Sequence, residues 1–323
     1  MMRVLTGIQS TGTPHLGNLL GAIIPAIRLS KDPKNESFFF IANLHSMTQI
    51  KDSKELKQNT YEIAATWLAC GLDTSKTYFY RQSDIPEVTE LMWHLLCYYP
   101  YSRLALAHGF KDKADRLKDV NAGLFTYPIL MAADILLYDA HVVPVGKDQL
   151  QHLEMTREVA QRFNHTHGDV LVLPESKLQE NTMYVPGIDG GKMSKSRGNT
   201  IQVFAPEKTL EKQIMSIVTD STPLEEPKNP DTCNAFAIYK LVATPEETDT
   251  MRKNYLAGGY GYGHAKKELF KVLLREFGEA REKYSYYMDN LGLLENILKE
   301  GAEKTRKIAA KTLKRVRESL YFE

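Results

Sequence analysis

Short runs of β-branched and aromatic residues recur along the first half of this chain, each followed by a longer stretch with helical spacing. That alternation restricts the fold more than any other feature. The runs occupy residues 3–8, 37–42, 77–81 and 141–145, and the helical patterns occupy 16–29, 54–70, 86–98, 127–138 and 149–163. Phe38, Phe39, Phe40 and Ile41 are apolar without a break, which suits a strand covered on both faces. Parallel strands need a long crossover between them, usually a helix. The alternation therefore predicts an α/β fold, a Rossmann-like doubly wound parallel sheet. Beyond residue 190 the strand signals fade. Residues 205–290 read as helices punctuated by Pro223, Pro227, Pro230 and the run Gly258-Gly259-Tyr260-Gly261-Tyr262-Gly263. Two parts are expected, 1–190 and a helical 191–323, with a last helix free to pack back on the first part. No repeat or low-complexity tract is present.

The first strand leads into Gly7-Ile8-Gln9-Ser10-Thr11-Gly12-Thr13-Pro14-His15-Leu16-Gly17-Asn18, and then into an apolar pattern through Leu19, Leu20, Ile23, Ile24 and Ile27. A strand, a glycine-containing loop and a helix aim a helix N-terminus, with its free N–H groups, at whatever lies above the strand. Gly17 leaves room for a flat ring, and His15 and Asn18 carry donors for phosphate oxygens. Neither the G-x-G-x-x-G spacing nor G-x-x-x-x-G-K-[ST] occurs. Far along the chain, Lys192-Met193-Ser194-Lys195-Ser196 sets two lysines three apart, with glycines at 190, 191 and 198. Lysine ammonium groups can follow a phosphate chain whose charge is redistributing.

His15-Leu16-Gly17-Asn18 resembles the HIGH signature, and Lys192–Ser196 the KMSKS signature, of class I aminoacyl-tRNA synthetases. Asn18 and Lys192 are 174 positions apart, with the motifs in the expected order. The run from Gly123 to Tyr138 resembles the amino-acid pocket helix of bacterial-type tryptophanyl-tRNA synthetases. Val142–Gln149, Gln151–Glu154, Ala160–Asn164, Val218–Ser221 and Glu300–Lys304 resemble the same family in order and spacing. The resemblance covers essentially the whole chain.

It implies a tryptophan–tRNA ligase that makes an adenylate from ATP and L-tryptophan and charges tRNA(Trp). Asp134 is implied as acceptor for the indole N–H, a donor-only group. Tyr127, Met131, Val143 and Val145 are implied as walls, with His45, Leu5 and Gly7 beside them and Gln149 as an orienter of Asp134. For ATP it implies Gln9, Ser10, Thr11, Gly17, Asn18, Gly146, Lys147, Asp148, Met183, Lys192, Met193, Ser194, Lys195 and Ser196, with Lys113 as a mobile-loop lysine. Lys192 and Lys195, supported by His15 and Gln9, are the implied catalytic groups. Mg²⁺ is expected on the ATP phosphates, with no protein-held metal. A homodimer bridged by tRNA is also implied, with an interface insertion at about 85–125. Trp93, Leu95, Leu96, Tyr98, Tyr99 and Tyr101 there form either interface or core. Leu5, Ser10 and Lys147 depart from the family pattern, and Ile188-Asp189-Gly190-Gly191 is richer in glycine, which is expected to make the KMSKS loop mobile. The alternatives are a tyrosyl-tRNA synthetase, a nucleotidyltransferase sharing the ATP site, or a non-catalytic binding paralogue.

Composition narrows the setting. The 323 residues are 43% hydrophobic and 25% charged with a net charge of +1, the profile of an ordinary globular chain. No apolar run approaches 18 residues, so neither a membrane span nor a signal peptide is expected. Cys70, Cys97 and Cys233 lack C-x-x-C spacing, which argues against disulfides or structural zinc and for a reducing cytoplasm. Neither membrane nor DNA is an expected partner. Within 301–318, seven cations (Lys304, Arg306, Lys307, Lys311, Lys314, Arg315, Arg317) stand against Glu303 and Glu318, a net of +5. With Ala302, Thr305, Ile308, Leu313, Val316 and Leu320 at helical spacing, this predicts a helix docked on one side and basic on the other, available to RNA phosphates.

Overall fold

The computed structural model describes residues 1–107, 120–146, 149–175 and 184–322. The first half alternates strand and helix. Strands β1 (Met2–Ile8), β2 (Asn35–Ile41) and β3 (Thr77–Arg81) are joined by helix α1 (16–30), the short α2 (Asn43–Ser46) and α3 (Ser53–Ala69). Helices α4 (Glu87–Tyr98), α5 (Ala122–Leu136) and α6 (Leu150–His167) follow. Each of the three strands pairs in parallel, with Leu5 opposite Phe38 and Phe38 opposite Tyr78.

The sequence predicts a fourth strand at 141–145, and here the structure differs. Val142 makes a single parallel bridge to Val4 on the free edge of β1, and a second to Glu175. Pro144 has no N–H with which to extend a ladder, and Val143 and Val145 face a cavity instead. The chains across the sheet therefore run β3, β2, β1, the Val142 segment and the Glu175 segment. The order reverses between β1 and Val142.

Alternation along β2 explains the layers. Phe38 and Phe40 enter one apolar cluster with Leu91, Leu95, Ile129 and Leu153 from α4, α5 and α6. Phe39 and Ile41 enter another with Ile23, Ile27 and Trp67 from α1 and α3. Helices thus cover both faces, as a period-two strand requires. Helix α1 is not uniform: an α-turn Leu16–Asn18 and a π-helical stretch Leu19–Ile23 precede Ile24–Ser30. Pro25 cannot donate to the carbonyl four residues back and would clash with it, and the wider turn before it relieves that conflict.

The second half is helical: α7 (Glu207–Met215), α8 (Asn234–Tyr239), α9 (Pro245–Ala257), α10 (Tyr262–Asp289) and α11 (Leu291–Ser319). A third cluster joins Ile201, Leu210, Phe236 and Leu269 to Leu16, Leu19 and Met193, so both signature segments are rooted in it. Helix α11 returns to the sheet, packing on β3 and α4. Its arginines pair with acids of the first half: Arg306 meets Glu87 at 2.9 Å, Arg315 meets Asp139 at 2.5 Å and Arg317 meets Glu90 at 3.1 Å. Lys304, Lys307, Lys311 and Lys314 are exposed. The aromatic cluster on and just after α4 is divided. Leu95 and Tyr99 are core, Leu96 and Tyr98 pack against it, and Trp93 and Tyr101 are 67% and 76% exposed. Among the described residues no helix is long and apolar enough to cross a membrane.

Gly301 is where α11 meets the sheet: a Cβ there would lie 1.7 Å from the Phe79 carbonyl oxygen, whereas one at Gly278 of α10 would meet nothing within 4 Å. Gly301→Ala should destabilise the fold by about 1–3 kcal/mol through overpacking. Gly278→Ala should stabilise it by roughly 0.5–1 kcal/mol. Urea unfolding of the two variants checks this; a shift of the same sign for both would contradict the packing described.

Candidate active site

In an open parallel sheet the crevice opens at the carboxyl ends of the strands, where the strand order reverses. A cavity of about 410 Å³ lies there, between the end of β1 (Leu5, Gly7), the Val143–Gly146 segment and α5. All nine residues expected around the amino acid border it: Leu5, Gly7, His45, Tyr127, Met131, Asp134, Val143, Val145 and Gln149. Tyr127 is further held by a 2.8 Å hydrogen bond between its hydroxyl and His152 Nε2.

Asp134 projects from the apolar helix α5 and is only 3% exposed. An isolated carboxylate there would be strongly disfavoured, so its partners decide whether the site can exist. His45, on the turn after β2, places Nε2 2.8 Å from Asp134 Oδ2. Gln82, on the turn after β3, places its amide nitrogen 2.8 Å from Oδ1 and 2.9 Å from Oδ2. Burial pushes the carboxyl above the usual carboxylate range, while His45 and Gln82 pull it back. The orienting bonds thus come from His45 and Gln82, and Gln149 borders the same cavity. Gln82 was not singled out in the sequence. A signal exists, because it is the first residue beyond the third strand-like run, at the carboxyl end of a parallel strand where ligands gather.

A second cavity lies on the other side of Gln9, which borders both. Its polar lining includes Thr11, His15, Asn18, Lys192, Ser194 and Lys195, with the Gly17 backbone. The His15-Leu16-Gly17-Asn18 spacing is a reciprocal capping box: Asn18 N donates to His15 Nδ1 at 3.3 Å, and His15 N donates to Asn18 Oδ1 at 3.1 Å. Because Nδ1 accepts, the ring proton sits on Nε2 and remains available to a ligand. Burial, and then the Lys195 charge, lower the His15 pKa to about 4, so it is a neutral donor at neutral pH. Gly17 is indispensable to this cap, since a Cβ there would lie 2.9 Å from His15 Nδ1.

Met193 is 4% exposed and anchors the lysine loop in the helical core. Its sulfur accepts from Gly17 N at 3.3 Å. Lys195 reaches back to donate to the Gly12 carbonyl, and burial lowers its pKa to about 8. The glycine-rich segment before the loop is a bonded turn rather than an open one. Gly187 N donates to Gly191 O at 2.7 Å. Asp189 Oδ1 accepts from Gly191 N at 2.9 Å and from Asn199 Nδ2 at 2.7 Å.

Three expected ATP contacts fall elsewhere. Ser10 is fully buried, its hydroxyl turned to Ser46 Oγ at 3.1 Å, because the chain bends inward after β1. Ser196 is exposed and pairs with Ser194 Oγ at 3.3 Å, outside the cavity lining. Gly146 borders the first cavity rather than the second. Lys113, Lys147, Asp148 and Met183 lie outside the described residues.

A capped helix turn and a lysine loop border one cavity, and one buried carboxylate among apolar and polar walls borders the other, with Gln9 between them. That is the arrangement of a class I aminoacyl-tRNA synthetase. The family model "tRNA synthetases class I (W and Y)" matches residues 1–278, and the chain belongs to that family. A tryptophan–tRNA ligase of Rhodopirellula baltica is 48% identical over 316 residues, 98% of each chain. One of Fusobacterium nucleatum is 48% identical over 319 residues, covering 98% of this chain and 97% of its own. The crystal structure of tryptophanyl-tRNA synthetase from Campylobacter jejuni complexed with ADP and tryptophan superposes with a TM-score of 0.95. It is 46% identical and matches over 99% of this chain and 100% of its own.

The low His15 pKa has a stability consequence. Between about 6.5, the ordinary histidine value, and about 4, the unfolded chain takes up a proton that the folded chain refuses, so stability falls as pH falls through that window. Replacing His15 with Asn, a good cap without a titrating ring, should remove on the order of 2–3 kcal/mol of that loss. Urea unfolding of both proteins from pH 7 to pH 4.5 checks it, and parallel stability curves would contradict the buried, neutral ring.

Proposed function

We propose that the protein activates L-tryptophan with ATP and transfers it to tRNA(Trp). The observation that carries this reading is Asp134, a buried carboxylate bordering a cavity with apolar walls at Leu5, Phe40, Met131, Ile135, Val143 and Val145. An indole N–H is a donor only, and a carboxylate is its natural acceptor. Phenylalanine would leave that acceptor unpaired, and sites of this kind reject such analogues by on the order of 10⁴–10⁵. Tyr127, Met131, Val143 and Val145 shape the pocket around the ring. The relatives named tryptophan–tRNA ligase support the same assignment.

The reaction needs orientation more than acid–base chemistry. The tryptophan carboxylate is ionised at neutral pH, so no base is required. One of its oxygens attacks the α-phosphorus of ATP and forms the mixed anhydride, while the P–O bond to pyrophosphate breaks and pyrophosphate leaves with the electron pair. Gln9, bordering both cavities, lies where the two reactants meet. Lys192 and Lys195 stabilise the charge gathering on the leaving phosphates, and the His15 Nε2–H supports them as a neutral donor. A hydroxyl of the terminal tRNA ribose then attacks the carbonyl carbon and releases AMP. Among the described residues the second cavity is bordered by cations and neutral donors, with no carboxylate. That donor set fits a phosphate chain and leaves Mg²⁺ to be held by ATP oxygens, where it supplies charge neutralisation.

The working unit would be a homodimer, and the exposed Trp93 and Tyr101 suit contact with the second copy. The helices from α7 to α10 would read the tRNA anticodon, and the cytoplasm holds all three substrates.

ATP–pyrophosphate exchange without tRNA tests the activation step. Among twenty amino acids only tryptophan should support exchange. Lys195→Ala should slow it about 10²–10³-fold, as loss of a preorganised charge donor does. In the wild type, kcat/KM for ATP should fall as pH rises through about 8, where Lys195 loses its proton; Lys195→Arg should remove that limb. Exchange with tyrosine would reassign the substrate, and exchange with none would leave a binding paralogue.

A further inference from the structure

We infer that Gln82 is a positioning residue for amino-acid recognition, its amide fixing the Asp134 carboxylate so that Oδ1 is the oxygen offered to the substrate N–H. The inference rests on the reading of Asp134 given above and adds a residue to it. Gln82 is 1% exposed. Its Oε1 accepts from the backbone N–H of Leu44 at 3.1 Å and of His45 at 3.4 Å. Those donors fix which end of the amide faces which way, because the reverse orientation would set an NH₂ against two N–H groups and an oxygen against a carboxylate. The Nε2 end is thereby held between both oxygens of Asp134.

Counting acceptor positions then singles out one oxygen. A carboxylate offers about four lone-pair sites, two on each oxygen. Among the described residues, Oδ2 is met by both His45 Nε2 and Gln82 Nε2, whereas Oδ1 is met by Gln82 alone. Asp134 borders the cavity, so the open position on Oδ1 is the one a ligand can reach. Gln82 also ties the backbone of the α2 turn, which carries His45, to the same carboxylate. One side chain therefore sets the orientation of both groups around the acceptor.

Two substitutions separate this role from mere packing. Gln82→Met keeps the bulk and removes the donor, so the buried carboxyl protonates more readily and tryptophan affinity should weaken as pH falls. Gln82→Glu keeps the acceptor for Leu44 and His45 but sets a second carboxyl beside Asp134. While the pair shares a proton the donor is restored, and once both ionise it is lost, so affinity should weaken as pH rises. Tryptophan binding by equilibrium dialysis without ATP, from pH 5.5 to 8.5, should be nearly flat for the wild type and slope in opposite directions for the two variants. The loss in the unfavourable range should be roughly 10–100-fold, the effect of a hydrogen bond to a charged group.

The same experiment uses β-(benzothiophen-3-yl)alanine, which has the tryptophan shape without the N–H. The wild-type preference for tryptophan over this analogue should shrink about tenfold or more in Gln82→Met. Asp134→Asn is the control. If it leaves the preference intact, the assignment of Asp134 to the indole fails. If it abolishes the preference while both Gln82 variants keep wild-type affinity, selectivity and a flat pH profile, the inference about Gln82 fails alone.

Discussion

A carboxylate almost sealed from water can persist in a protein only if donors converge on it, and Asp134 is held under that constraint. The donors arrive from His45 beyond β2 and Gln82 beyond β3, while the carboxylate itself comes from α5. Three elements far apart in sequence must therefore meet at one point, at the carboxyl edge of the sheet. The parallel sheet achieves this because it delivers the ends of successive strands to the same edge, and the reversal of strand order beside β1 opens space above them. Asp134 cannot be understood from α5 alone, where it reads as a misplaced charge.

The two signature motifs combine structural and chemical duties in the same few residues. His15 and Asn18 cap each other across one helical turn, and that cap fixes the imidazole tautomer and leaves Nε2–H open. Met193 roots the lysine loop in the helical core, and Lys195 stretches back to Gly12. Each motif thus uses one residue as an anchor while others line the second cavity. Gln9 borders both cavities and makes them parts of one site.

Much of this was legible in the sequence, for identifiable reasons. The strands at β1, β2 and β3 and the helices between them follow from hydrophobic periodicity, which is a local property. The nine amino-acid pocket residues came from a family resemblance, and the structure gathers all nine on one cavity. What escaped depended on tertiary placement. Gln82 is an unremarkable polar residue until it meets Asp134. Ser10 looked like part of a phosphate loop, yet its hydroxyl turns inward to Ser46. The Val142 segment reads as a full strand, but Pro144 limits it to isolated bridges. The glycines within 188–191 suggest looseness, whereas Asp189 and Asn199 bond that segment into a turn.

The central claim is that a buried carboxylate at the strand-order reversal reads the indole N–H of tryptophan, and a crystal structure of the protein with tryptophan alone tests it most directly. The account predicts the indole nitrogen within about 2.7–3.2 Å of Asp134 Oδ1, with His45 and Gln82 still bonded to the same carboxylate and the substrate carboxylate directed toward Gln9. An indole whose nitrogen points away from Asp134, or a ring bound outside the cavity between β1 and Val143, would contradict it.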